Sequence, residues 1–260
     1  MITRIRRMNV KKLLSATVLS AVALSMTTLP ASAFDDAQKK EIGAIVKDYL
    51  LANPEVMLEV QQALQKKQEE ARSAQAKEAV EQNQDAIFNA AGDYVLGNPN
   101  GKITVVEFYD YNCGYCKRAI DDMDAVIKSN PEVRFVLKDF PILGPDSLAA
   151  HKVADAFRRA APDKYGKFHR ELLGGEAHAN EARALEVAES LGVDEKTIRA
   201  KMAENPDDEG VKSAYKLATQ LGISGTPSYV LANEAIFGAV GAEALTEKVA
   251  NVAQCGKTTC

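Results

Sequence analysis

The chain has 260 residues, 32 Lys and Arg against 36 Asp and Glu, a formal net charge of −4 and no tryptophan. An acidic balance of this kind carries no electrostatic footprint for nucleic acid or for an anionic membrane surface. Four cysteines are too few to staple a chain of this length, so the fold must rest on an ordinary hydrophobic core.

Residues 1–33 read as a secretory signal peptide. Arg4, Arg6, Arg7, Lys11 and Lys12 form a positive leader, Leu13 to Met26 is an uncharged and mostly apolar run, and Ala31-Ser32-Ala33 offers a small-x-small site for cleavage after Ala33. The apolar run is short for a membrane span, which needs about 20 residues. The remaining 227 residues carry 27 basic against 36 acidic side chains, a charge of −9. Export places the cysteines in an oxidising compartment, where a disulfide persists.

Residues 34–86 differ in composition from the rest of the chain. Asp35 or Asp36 can cap a first helix in which Ile42, Ile45, Val46, Tyr49 and Leu50 recur at helical spacing. "NPEV" at 53–56 starts a second helix, with Asn53 as cap and Pro54 in its first turn; Val56, Met57, Val60, Ala63 and Leu64 give it an apolar stripe. From Lys66 to Asp85 helix formers continue but large apolar residues nearly vanish, apart from Val80. A polar helix buries nothing and is solvated or flexible. The segment therefore reads as a polar stalk bearing a sticky face. That face packs either on the chain's own globular domain or, the reading favoured by the stalk, against copies of itself.

The globular part is expected over 87–260. "KITVVEFYDY" at 102–111 and "VRFVLKDF" at 133–140 are strands rich in β-branched and aromatic residues, joined by a helical run from Lys117 to Ser129. That is a βαβ unit with a parallel pair. A helical block of about 145–222 comes next, with Asp146 or Ser147 as its first cap, and then two strands around a turn at Asn233-Glu234 and a final helix through Leu245, Val249 and Val252.

Chemistry concentrates at "DYNCGYCKRA", 110–119. A Cys-x-x-Cys pair between a strand and a helix meets the unpaired N–H groups and the positive end of the helix dipole, which stabilise a thiolate. Cys113 is expected at that terminus with its sulfur exposed, as the nucleophile; Cys116, one turn in, resolves the mixed disulfide. Gly114 and Tyr115 between them are uncharged and help set the redox poise, which points to a milder oxidant than a pair containing histidine. A zinc site would need further cysteine or histidine ligands. His151, His169 and His178 stand singly and read as surface or helix-face residues, so no metal site and no cofactor is expected. Cys255 and Cys260 form either a small disulfide closing the tail or a second redox pair.

These motifs resemble the DsbA-like, thioredoxin-fold thiol–disulfide oxidoreductases of bacterial cell envelopes, and more narrowly the ScsC type with its extra N-terminal oligomerisation segment. "VVEFYDYNCGYC", "FVLKDFPILGPDS", "GISGTPSYV" and "YLLANPEVMLE" carry the resemblance, which spans nearly the whole chain after residue 33. It implies an α/β thioredoxin fold with a helical insertion, preceded by an N-terminal helical stalk. It also implies a cis bond at Thr226-Pro227, whose backbone offers an extended substrate a strand-like partner beside Cys113, and a buried acid at Glu107 that accepts a proton from Cys116. The C-terminal cysteine pair lies outside the shared motif.

The expected function is that of a periplasmic oligomeric protein disulfide isomerase, trimer favoured over dimer, acting on disulfide-bearing exported proteins and kept reduced by a membrane thiol reductase. Two alternatives stand beside it: a dithiol oxidase or reductase, and a copper-binding envelope protein that holds Cu(I) through the thiolates of Cys113 and Cys116.

Overall fold

In a computed structural model, residues 34–206 and 208–260 are described. The expected leader over 1–33 lies outside them. Among the described residues no helix is long and apolar enough to cross a membrane. The chain divides into two compact units, one ending at Val60 and one running from Gln61 to Cys260.

In the first unit, helix α1 spans Asp36–Ala52. Asp35 caps it through its side chain on the Gln38 amide at 2.8 Å, and Gln38 returns a bond to the Asp35 N–H at 3.0 Å. That reciprocal pair satisfies two of the amides a helix start leaves unpaired. Asn53 caps differently from the sequence expectation. Its side chain turns back and donates to Tyr49 O at 2.8 Å, so it closes α1 rather than opening the next helix. Helix α2, Glu55–Gln82, begins directly after Pro54. Ile42, Ile45, Val46, Tyr49, Leu51, Met57, Leu58 and Val60 are all exposed.

The second unit is built on a five-stranded sheet in the order β1-β3-β2-β4-β5. Strands β2 (Ile103–Tyr109) and β3 (Val133–Asp139) run parallel and are joined by helix α4 (Gly114–Ser129). Both strands are buried on both faces, which is why they read as near-continuous apolar runs. Strands β4 (Ser228–Leu231) and β5 (Glu234–Phe237) form the antiparallel hairpin expected after the helical block, turning at Ala232-Asn233. Strand β1 (Tyr94–Gly97), antiparallel to β3, was not expected; four residues after a turn carry too little periodicity to announce a strand.

Side-chain alternation along β2 sorts the two cores. Val105 and Tyr109 face α4, the helical insertion and the C-terminal helix α10 (Gly241–Cys255), alongside Met123, Phe157, Phe168, Leu245 and Val249. Val106 and Phe108 face the other way, with Val136 and with Leu217 of helix α9 (Glu209–Gln220). This second face corrects the picture of a wholly solvated stalk. Ala76, Ala79 and Val80 of α2, and Ile87 of the short helix α3 (Gln84–Phe88), are buried in that core. Packing on the sheet thus begins ahead of Ile87. Arg134 and Lys138, from the same face of β3, fasten the connection between α3 and β1: Arg134 donates to Phe88 O at 2.7 Å, and Lys138 to Ala86 O at 2.7 Å and to Asp93.

The insertion comprises α5 (Pro145–Ala160), α6 (Tyr165–Gly174), α7 (Glu181–Ser190) and α8 (Glu195–Glu204), with α9 after them. Neither Asp146 nor Ser147 caps α5. Gly144 occupies the cap position at φ +115°, a conformation that favours glycine, and Ser147 is buried inside the first turn.

If α2 belongs to the core, Val80→Ala lowers stability by about 1.5–3 kcal/mol. Lys66→Ala, on an exposed turn of the same helix, changes it by less than about 0.5 kcal/mol. Urea denaturation of both variants checks this; equal, negligible effects would remove the helix from the core.

Candidate active site

Strand β2 ends at Tyr109, and a short turn delivers Cys113 to the N-cap of α4. The turn is fixed from below by Asp110, fully buried. Its carboxylate accepts from Asn112 N at 2.8 Å, Ser147 Oγ at 2.7 Å and Leu143 N at 2.9 Å. Asn112 then ties the turn to the insertion: its side chain donates to Ala179 O and accepts from Ala179 N, both at 2.8 Å, and donates to Ser147 Oγ at 2.9 Å. The partners of Asp110 and Asn112 lie dozens of residues away and left no sequence signal.

At the cap, the sulfur of Cys113 accepts the Cys116 N–H at 3.3 Å, the role that a Ser or Asp oxygen plays in other helices. The protonated thiol donates to Thr226 O at 3.2 Å. The Thr226-Pro227 peptide bond is cis. Exposure differs from expectation: Cys113 is 7% exposed and Cys116 is fully buried, whereas Gly114 and Tyr115 stand out in solvent, Tyr115 at 60%. Apposition of the 226–227 loop is what covers Cys113. Access remains through a cleft of about 260 Å³ in which Cys113, Tyr111 and Lys117 face Leu173 and His178. The Arg118 guanidinium, at i,i+3 on the same helix, lies 4.3 Å from the Tyr115 ring centroid, so the exposed ring carries a cation.

The two sulfurs are pulled in opposite directions. Hydrogen bonding with the Cys116 thiol, then with the Thr226 side chain and with the Cys116 and Tyr115 amides, outweighs burial and brings Cys113 from 9.0 down to about 6. Burial, its bond to Cys113 and the neighbouring Glu107 push Cys116 far upward. Glu107 points from β2 to the same face as Val105 and Tyr109, and is 3% exposed. Burial first, then the charge of Cys113 and that of Asp122, raise it from 4.5 to about 8.

His151 and His169 are not surface residues. Both are buried in a polar cluster under the turn. Asp139 accepts from Tyr109 OH at 2.6 Å and lies 2.9 Å from His151 Nδ1, while Tyr111 OH sits 3.5 Å from His169 Nδ1. Despite burial, which opposes it, the His151 contacts hold Asp139 well below the usual carboxylate range; burial takes His169 down to about 3. His178 alone stays exposed, paired with Asp146 at 3.0 Å. Among the described residues no group of three or more His, Cys, Asp or Glu is disposed to hold a metal ion. Cys255 and Cys260 are joined as a disulfide at the exposed end of α10.

A dithiol poised on a helix start across from a cis-proline is the arrangement of the thioredoxin-fold class. Within it, the chain belongs to the DSBA-like thioredoxin domain family, whose model matches residues 104–250, and it carries the Copper resistance protein ScsC N-terminal domain over residues 38–71. A thioredoxin-like oxidoreductase from Silicibacter pomeroyi is 37% identical over 66% of this chain and 98% of that one, with a TM-score of 0.62. ScsC from Proteus mirabilis, in a transitional conformation, is 30% identical over 82% of this chain and 94% of its own, with a TM-score of 0.59. Among curated proteins, Na(+)/H(+) antiporter NhaA 3 of Salinispora tropica is 26% identical over 157 residues, 60% of this chain. The chain spans about a quarter of that relative's length, 24%.

Two measurements check the electrostatics. In the reduced protein, Cys113 alkylation tracks a single ionisation near pH 6, and Cys116→Ser keeps a reactive Cys113 while Cys113→Ser leaves almost no thiolate reactivity at pH 7. Stability carries two opposed slopes. The lowered Cys113 contributes stability that is full above pH 9 and lost as pH falls through about 6; the raised Glu107 contributes stability that is full below pH 4.5 and lost as pH rises through about 8. Urea midpoints of the reduced Glu107→Gln protein therefore rise more steeply between pH 6 and 8 than those of the wild type. Parallel profiles would separate Glu107 from the site.

Proposed function

We propose that the chain is an exported thiol–disulfide oxidoreductase that works as an oligomeric protein disulfide isomerase through Cys113 and Cys116. The opposed pull on the two sulfurs is the observation that carries the chemistry. A thiolate at Cys113 near neutral pH attacks one sulfur of a substrate disulfide; that S–S bond breaks, the other substrate sulfur leaves as a thiolate, and a mixed disulfide forms. If the freed substrate thiolate, or another in the same chain, attacks elsewhere, the substrate rearranges and Cys113 returns as thiolate. No electrons are consumed.

If rearrangement stalls, Cys116 ends the encounter. It loses its proton, attacks Cys113, and releases the substrate reduced, leaving a Cys113–Cys116 disulfide that a membrane thiol reductase returns to the dithiol. Glu107 suits the proton step. Part of its upward shift comes from the Cys113 charge. In the mixed disulfide that charge is gone, so the carboxylate forms more readily just when Cys116 must give up its proton. Thr226 and Pro227 seat the substrate backbone, and Gly114 and Tyr115 border it.

Isomerisation over oxidation is supported by the exposed apolar residues of α1 and the start of α2, which suit self-association into a trimer, in preference to a dimer. Several active sites held together raise the effective concentration of dithiol around one misfolded client. Export rests on the leader over 1–33. Cu(I) held by the same two sulfurs is the weaker reading, because Cys116 would have to ionise against its burial.

The test uses residues 34–260 and the same protein carrying Ile45→Asp and Tyr49→Asp. Light scattering reports mass, and reactivation of a scrambled-disulfide enzyme reports isomerisation. The wild type is expected to be oligomeric and to reactivate the substrate; the variant is expected to be monomeric, roughly tenfold or more slower at reactivation, and still able to reduce a simple disulfide. A monomeric variant that reactivates as well as the wild type would dissociate isomerisation from assembly. A wild type that only oxidises reduced substrate would make it a dithiol oxidase.

A further inference from the structure

The loop that bears the cis bond runs from Leu221 to Pro227, between α9 and β4. A side chain from a helix far away in sequence grips it. Arg72 lies on α2, half-buried. Its Nε and Nη2 both donate to Gly222 O, at 3.0 and 2.7 Å, and Nη2 reaches Ser224 Oγ at 3.5 Å. The guanidinium carbon lies 3.5 Å from the Phe237 ring centroid. Phe237 pairs with Ser228 across β4 and β5, and the next residue, Gly238, donates its N–H to Pro227 O at 3.0 Å. One guanidinium thus holds the entrance of the loop at Gly222 and the strand that braces its exit.

Docking of α2 does not need these contacts. The helix is already seated by Ala76, Ala79 and Val80, all buried, and Arg72 lies one turn earlier. The hydrogen bonds of its head group go to the cis-proline loop, and its flat face stacks on the brace of that loop. Two charge-assisted bonds to one carbonyl plus stacking on an aromatic ring require a planar fork, which lysine lacks. At the far end of the same loop, Thr226 O meets the Cys113 sulfur at 3.2 Å.

We propose that Arg72 is a positioning residue for disulfide exchange: by clamping Gly222, Ser224 and Phe237 it sets where Thr226 and Pro227 stand relative to the Cys113 sulfur. The inference rests on the reading of Cys113, Thr226 and Pro227 as the exchange site and extends it to a residue of the N-terminal helix. Substrate seating and the thiolate environment then depend on a side chain outside the family's matched catalytic segment of 104–250.

The test compares residues 34–260 of the wild type with Arg72→Ala, Arg72→Lys, Phe237→Leu and, as a control on an exposed position of the same helix, Lys77→Ala. Two readouts are taken: kcat and KM for reduction of a disulfide-bonded model peptide, and the pH dependence of Cys113 alkylation. Arg72→Ala is expected to raise KM about 5–10-fold with kcat within about twofold, and to displace the alkylation midpoint from about 6. Arg72→Lys recovers part of the KM, Phe237→Leu shows a smaller change in the same direction, and Lys77→Ala matches the wild type. KM and midpoint both unchanged in a folded Arg72→Ala protein would reduce Arg72 to a helix contact and overturn the proposal. Should that variant not fold, Arg72→Lys and Phe237→Leu decide on the same two readouts. Alkylation needs no turnover, so a wild type without exchange activity would sink the proposed function while the midpoint still decides on Arg72.

Discussion

The interaction on which the site depends is the contact between the Cys113 sulfur and the start of α4. A helix start leaves amides without partners, and here the acceptor is a thiol sulfur. A thiolate accepts such a bond better than a thiol, so the helix gains most when Cys113 is ionised. The same contact therefore caps an element of the fold and, on the proposed function, prepares the nucleophile. Much of the surrounding architecture serves to hold that sulfur still: β2 delivers it, Asp110 and Asn112 lock the turn, and the cis-proline loop closes over it.

Around that sulfur the protein has gathered more acids than it can ionise together. Cys113, Cys116 and Glu107 share one buried region, and each negative charge raises the cost of the next. On the proposed function, the site acts as a store for a single charge that moves between partners. With the thiolate on Cys113, Glu107 is held neutral and Cys116 stays a thiol. Once Cys113 is tied into a disulfide bond, the charge it carried no longer opposes its neighbours, and the proton on Cys116 has somewhere to go. Burial, usually a cost to an acid, would in that scheme enforce the order of events.

Legibility in the sequence depends on the range of the signal. The central strands and the cysteine pair are local features: a β-branched run, then Cys-x-x-Cys at the head of a helix. The cis bond is different, since a lone Thr-Pro reads equally well as a turn, and only the resemblance pointed to its conformation. What escaped is what depends on distant partners. His151 and His169 looked solitary because Asp139, Tyr109 and Tyr111 come from other elements. The buried side of α2 escaped because its seats are Ala76, Ala79 and Val80, a stripe too slight to stand out among glutamates, glutamines and lysines.

Helix α2 accordingly answers to two requirements along one continuous element. Its early turns expose Met57, Leu58, Val60 and Leu64, a cost in water that makes sense where another surface is to be met. Its later turns present small residues, Ala76, Ala79 and Val80, to the core that holds Val106, Phe108 and Val136. A helix that ended before residue 76 would leave part of that core open beside α9, and one that began at Ile87 could not grip the cis-proline loop. The polar stretch between the two regions is thus more than a spacer: it carries the arginine that joins the helix to the loop opposite the Cys113 sulfur.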